Sequence, residues 1–72
     1  MLSDYKVTAL IYPNGEYRLG KVVPVIDEGS YYRIDGTHIF DNHKILEVVE
    51  DGNQVSVKMK DREVTLITEN PS

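Results

Sequence analysis

Apolar and polar residues alternate without a break from Gln54 to Lys60. Val55, Val57 and Met59 point one way and Ser56, Lys58 and Lys60 the other, and this period of two predicts a strand with one buried face. Two turns flank it. Asp51-Gly52 has the chemistry of a type I′ hairpin turn and pairs Val48 with Val55 and Leu46 with Val57. A turn at Asp61-Arg62 pairs Lys60 with Glu63, Met59 with Val64 and Val57 with Leu66, so apolar meets apolar and opposite charges meet. A slip of one residue would send every buried side chain to solvent. Agreement in both hairpins therefore predicts a three-stranded meander over 44–50, 54–60 and 63–69.

The first half of the chain carries a second meander, over 5–12, 16–26 and 30–35. Pro13-Asn14-Gly15 ends its first strand. A type I turn with Gly15 in the left-handed region sets Ile11 opposite Tyr17 and Ala9 opposite Leu19, which gathers Val7, Ala9, Ile11, Tyr17 and Leu19 on one apolar face. A tighter Asn14-Gly15 turn would instead set Ile11 opposite Arg18. The second strand is too long to stay flat in so small a domain, and Gly20 and Pro24 interrupt it where a bulge, bend or edge is expected. Asp27-Glu28-Gly29 turns the chain into the third strand, pairing Val25 with Tyr31 and Val22 with Ile34 and bringing Lys21 to Asp35. Residues 36–43 have no strand pattern. They are expected to form a loop or 3₁₀ turn whose Ile39-Phe40 plugs one end of the core, and Asn70-Pro71-Ser72 is expected to fray.

Each meander alone would leave an apolar face in water, so the two should close on each other. The predicted fold is all-β: one domain over 1–72, a small SH3-like barrel or an orthogonal sandwich of two three-stranded antiparallel meanders. An OB-like barrel is the alternative, disfavoured by the lack of a helical pattern between the third and fourth strands. Short stand-alone barrels of this sort resemble many bacterial and mobile-element proteins, without a motif that singles out one family.

Composition narrows the function classes. At 72 residues the core is thin, and without cysteine there are neither disulfides nor thiolate metal sites. No apolar run approaches the ~20 residues of a membrane span. Met1-Leu2-Ser3-Asp4 lacks the blocks of a signal peptide, so the expectation is a complete small cytoplasmic protein. A net charge of −4 disfavours a non-specific nucleic-acid binder, whose footprint is usually basic.

Catalytic patterns are missing. There is no nucleophile elbow, phosphate-cradling glycine loop or dinucleotide fingerprint, and a domain this small leaves little room for a pocket of ~300 Å³, so neither an enzyme nor a cofactor is expected. His38, Asp41 and His43 form an H-x-x-D-x-H arrangement whose imidazoles and carboxylate suit a transition metal, but no fourth ligand is evident. Lys58, Lys60 and Arg62 are a local cationic row that suits a nucleic-acid backbone, although lysines on a strand more often discourage edge pairing. Five of the six aromatics are tyrosine. A ring with a polar tip suits a half-exposed interface, and Tyr12, Tyr31 and Arg33 are the candidate partner-binding residues. The leading expectation is a small non-catalytic protein-binding or regulatory module, taking another protein or a second copy of itself. A nucleic-acid-binding barrel is the rival, and a metal-binding protein comes third.

Overall fold

The computed structural model describes residues 1–69, with His38 through its main chain only. Seven strands form: β1 (Lys6–Tyr12), β2 (Gly15–Asp27), β3 (Tyr31–Ile34), β4 (Thr37–Asp41), β5 (Ile45–Asp51), β6 (Gln54–Met59) and β7 (Glu63–Thr68). Single 3₁₀ turns occupy Leu2–Asp4 and Asn42–Lys44. The strands lie in the order β4-β3-β2-β1-β7-β6-β5, every neighbouring pair antiparallel. Phe40 and Ile34 from one end of this order share a single buried cluster with Val55 and Val57 from the other. The sheet therefore folds across its own apolar face as a small barrel or orthogonal sandwich, the all-β class that the alternation predicts.

The halves are a four-stranded and a three-stranded meander joined through β1 and β7, not two of three. The extra strand corrects the reading of 36–43. Asp35 and Gly36 both have positive φ (52° and 78°), and Ile34 pairs with Thr37 across them, the geometry of a type I′ hairpin turn. β4 then pairs with β3 in spite of its poor pattern. The pattern is poor because the register shifts between Tyr32 and Arg33, which face Phe40 and His38, so that Ile39 is the extra residue of a bulge. Ile39 and its neighbour Phe40 are consequently both buried, at 4% and 0% exposure, and the expected plug is real although it sits on a strand. A Cβ on Gly36 would meet nothing within 4 Å, so the cost of substitution is in the backbone. We expect Gly36→Ala to lower stability by roughly 1–2 kcal/mol, read as a shift in the urea midpoint at unchanged m-value.

β2 bends where glycine was expected to make a corner. Ala9 faces Arg18 and Val7 faces Val23, so β2 runs through residues 19–22 while β1 advances by Thr8 alone, and Gly20 takes a φ of +75° inside that segment. Val23 and Val25 then point inward, with Val22 and Ile26 outside. Beyond Pro24, β2 leaves β1 and pairs with β3. On its other side β1 has a bulge against β7, where Thr8 is the extra residue, and this changes the face expected for β1. Thr8 is displaced, its hydroxyl donating to the Ile67 carbonyl at 3.3 Å; Val7 and Ala9 are buried as expected, Leu10 joins them in place of Ile11, and Ile11 and Tyr12 are half-buried.

The expected registers are replaced in all four hairpins. Tyr12 faces Gly15 across Pro13-Asn14, which puts Leu10, not Ile11, opposite Tyr17. Val25 faces Ile34 rather than Tyr31, because the chain reverses at Gly29-Ser30, where the Asp27 carboxylate accepts from the Gly29 N–H. Lys21 and Asp35 nevertheless meet, at 3.2 Å. In the second meander Val48 faces Val57 and Val57 faces Val64, each displaced by two positions from the expected partner. Lys58, not Lys60, is consequently opposite Glu63. A shift of two preserves the faces, so Val55, Val57, Val64 and Leu66 are all fully buried as the alternation requires, but Leu46 and Val48, expected on the same buried face, are 64% and 42% exposed because β5 is the edge strand and begins with a bulge. The β5–β6 turn is Gly52-Asn53, with positive φ at Gly52 alone, as in a type II′ turn. Residues 70–72, expected to fray, lie outside the described part.

Candidate functional site

The β1–β2 hairpin carries Leu10 and Tyr12 on one arm and Tyr17 and Leu19 on the other, and the direct Leu10–Tyr17 pairing places an apolar floor next to an aromatic wall. The β3–β4 hairpin faces it with Ile34, Asp35, Thr37 and Ile39. Together they line a mostly apolar cleft of about 220 Å³. Burial is graded across it: Leu10, Ile34 and Ile39 belong to the core, Tyr12 and Leu19 are half-buried, and Tyr17 is 57% exposed. An exposed ring beside buried aliphatic side chains presents apolar surface that the fold itself leaves uncovered.

Charge sits at the margin of this cleft. Asp35 forms an ion pair with Lys21 on one side. On the other, the Arg62 guanidinium lies 5.5 Å from the Tyr12 ring centroid and donates from Nη2 to the Ile39 carbonyl at 3.2 Å. Arg62 reaches this position because the β6–β7 turn is Lys60-Asp61, closed by the Met59 N–H donating to the Arg62 carbonyl at 2.8 Å. It thus ties the second meander to β1 and β4, fixing Tyr12 in place from above.

The partner-binding trio divides. Tyr31 and Arg33, two apart on β3, share its outer face, while Tyr32 and Ile34 point inward. The Arg33 guanidinium donates to Glu28 Oε2 at 2.8 Å and to the Tyr31 hydroxyl at 2.7 Å, with its Cζ 5.7 Å from the Tyr31 ring centroid. Its pKa is pushed further up, chiefly by the hydrogen bond to Glu28. Tyr12 belongs instead to the cleft, whose lining includes neither Tyr31 nor Arg33.

The cationic row does not survive folding as a row. Lys58 lies 3.6 Å from Glu47 on β5 and opposite Glu63 on β7, Lys60 is an exposed turn residue, and Arg62 is drawn to Tyr12. Of the metal trio, the main chain of His38 pairs with Arg33, its side chain being outside the described part; Asp41 ends β4 at 3.8 Å from Lys44; and His43 is exposed on the second 3₁₀ turn. Among the described residues, no group of three or more His, Cys, Asp or Glu is placed to hold a metal ion.

Two open grooves exceed the volume expected of so small a domain. One of about 430 Å³ follows the β1–β2 bulge past Thr8, Gly20 and Val22. The other, of about 310 Å³, is lined by Asp4, Tyr5, Lys6, Glu50, Gly52, Thr68 and Glu69. In it the Tyr5 hydroxyl has its pKa raised, first by desolvation and then by Glu50.

Sequence reasoning missed Tyr17 because its assumed partner was Ile11, which hid it in an apolar row. It assigned Arg62 to the wrong neighbours because the two-residue turn falls one position earlier than Asp61-Arg62. No helix among the described residues is long and apolar enough to cross a membrane. Compared with protein-family models, curated proteins and solved structures, the chain has no significant match.

Proposed function

We propose that this protein is a small non-catalytic binding module that takes a segment of another protein into the cleft between the β1–β2 and β3–β4 hairpins. The observation that carries this reading is the exposed Tyr17 ring against the buried Leu10, with Tyr12 held opposite by Arg62. A cleft of about 220 Å³ suits one or two apolar side chains rather than a whole small-molecule substrate. Tyrosine and arginine are also the residues on which interface energy concentrates. The Asp35–Lys21 pair offers polar groups at the rim for the partner's main chain.

The nucleic-acid alternative is the weaker one. Two of its three cations already have partners, Lys58 with Glu47 and Arg62 with Tyr12, in a chain of net charge −4.

The test is selection of a random peptide-display library on the intact protein, with counter-selection on Tyr17→Ala. Peptides sharing an apolar anchor, which lose binding to Tyr17→Ala and to Leu19→Glu but not to Arg33→Ala, support the cleft. Enrichment that ignores both cleft substitutions, or none at all, overturns it.

A further inference from the structure

We propose that the open side of β5 is a second docking surface, and that it adds a basic extended segment of a partner protein as a further strand. β5 ends the sheet and pairs with β6 alone. Its backbone groups alternate in direction, and the register says which ones are free. Asp51 and Gln54 close a two-residue turn and are a hydrogen-bonded pair, so Asp51, Val49 and Glu47 turn their N–H and C=O groups toward β6. The β6–β7 ladder agrees. Asn53 and Met59 bond toward β7, which leaves Gln54, Ser56 and Lys58 for β5. Val48 and Glu50 therefore direct their main-chain groups outward, at the spacing an incoming strand requires.

Edge strands are commonly blunted by lysine, proline or a bulge. Ile45–Asp51 contains neither lysine nor proline, and its bulge is confined to its start, between Ile45 and Glu47. Leu46, Val48 and Val49 are 64%, 42% and 39% exposed, a run of large aliphatic side chains found nowhere else on the described surface. An added strand would cover them, with side chains alternating between the two faces as in other cases of strand addition.

Charge selects the occupant. The strand carries Glu47, Glu50 and Asp51 and no basic residue; Glu47 is paired with Lys58 on β6 and Asp4 with the N-terminal amine, so the acids left to meet a partner are Glu50 and Asp51 on the strand and Glu69 in the groove at Tyr5, against Lys6. A second copy fits poorly. Two-fold antiparallel pairing centred on Val48 sets Leu46 opposite Glu50 of the other copy and gathers six carboxylates on two chains that each bear −4. A segment alternating β-branched residues with lysine or arginine meets both the aliphatic run and the acids. This surface is independent of the cleft, which β5 does not line.

The experiment titrates the isotope-labelled protein with three short blocked peptides: alternating valine and lysine, alternating valine and glutamate, and the lysine peptide with a central proline. Chemical shifts and amide hydrogen exchange are followed at low and moderate salt. The lysine peptide should bind saturably and slow exchange at the Val48 and Glu50 amides, with the other two at least about tenfold weaker. Glu50→Lys should weaken it by about tenfold. Val48→Pro should abolish the protection, since it deletes an outward N–H that β6 does not use, and Tyr17→Ala should leave it unchanged. If Val48→Pro fails to fold, Glu50→Lys decides. Equal binding of the acidic and basic peptides, protection along β4 instead, or a peptide-free dimer in sedimentation that Val49→Lys disperses would each overturn the proposal. Since Tyr17→Ala reads the cleft separately, failure at β5 and failure of the cleft are told apart.

Discussion

Phe40→Ala is expected to cost the fold about 3–5 kcal/mol, the usual range for deleting a fully buried aromatic ring. Phe40 has no exposed surface and lies directly opposite Tyr32, and it is the largest of the fully buried side chains. A chain of 72 residues has a total stability of roughly 4–11 kcal/mol, so this one truncation removes a large share of it. The ring cannot be replaced by local collapse. Its strand is held at one end by the Asp35-Gly36 turn and at the other by the 3₁₀ turn at Asn42–Lys44, and the bulge commits the adjacent Ile39 to the same core. Thermal unfolding followed by circular dichroism should show the midpoint falling on the order of 20 °C. Ile39→Val, one methylene smaller, should fall by only about 0.5–1.5 kcal/mol. Near-equal melting of Phe40→Ala and the wild type would mean that the ring does not fill the space between the two meanders.

The sequence shows which way side chains face on the regular strands β6 and β7, less well on the bulged β1 and the edge strand β5, and poorly which residue sits opposite which. In the second meander both hairpins are displaced by two positions, yet the inward set of β6 and β7 is unchanged, because alternation has a period of two and is blind to any even shift; on β5, a bulged edge strand, Leu46 and Val48 are exposed instead. Turn chemistry chooses among those even registers, and there glycine misled. Asp51-Gly52 and Asp35-Gly36 have the same composition, but only the second adopts two positive φ values; at the first, Gly52 moves to the leading position and Asn53 follows it. Bulges hide in a different way. Thr8, against β7, and Ile39, against β3, each add one residue, which turns a two-fold pattern into an apparent violation, so Leu10 looks misplaced beside Val7 and Ile39-Phe40 looks like a loop. Gly20 was the one irregularity with a legible cause, since glycine in a long strand marks a bend.

The candidate sites inherit these errors. Tyr17 lines the cleft because the first turn is two residues, Pro13-Asn14, instead of the expected three ending in Gly15, and Arg62 reaches its margin because the β6–β7 turn falls one position earlier than Asp61-Arg62, at Lys60-Asp61. The outward direction of Val48 and Glu50 is likewise a property of register, invisible to composition. What composition does show is the chemistry each surface has to offer: tyrosine at the cleft, carboxylates and aliphatic residues along β5.

Val57→Asp tests the closure of the sheet through its pH dependence. Val57 is fully buried at the centre of the second meander, between Val48 on β5 and Val64 on β7. A carboxylate there would sit in the buried apolar cluster, so desolvation would raise its folded-state pKa well above the ~3.9 of the unfolded chain. The sign follows from proton counting. Between those two values the folded state holds a proton that the unfolded state has released, so stability is highest below the unfolded pKa and declines as pH rises toward the folded one, then stays low. The proper reference is Val57→Asn, which buries a polar group of the same size but does not titrate, and which cancels the contribution of the twelve native acids. Near pH 4 the two variants should have similar urea midpoints, each several kcal/mol below the wild type for burying a polar group. At neutral pH Val57→Asp should fall below Val57→Asn by about 1.4 kcal/mol for each unit by which the carboxyl is shifted, counted no further than the working pH, and by enough to unfold the chain if the shift reaches neutrality. If the two variants keep the same difference across this range, residue 57 is in water, and with it goes the closed sheet on which both the cleft and the β5 edge depend.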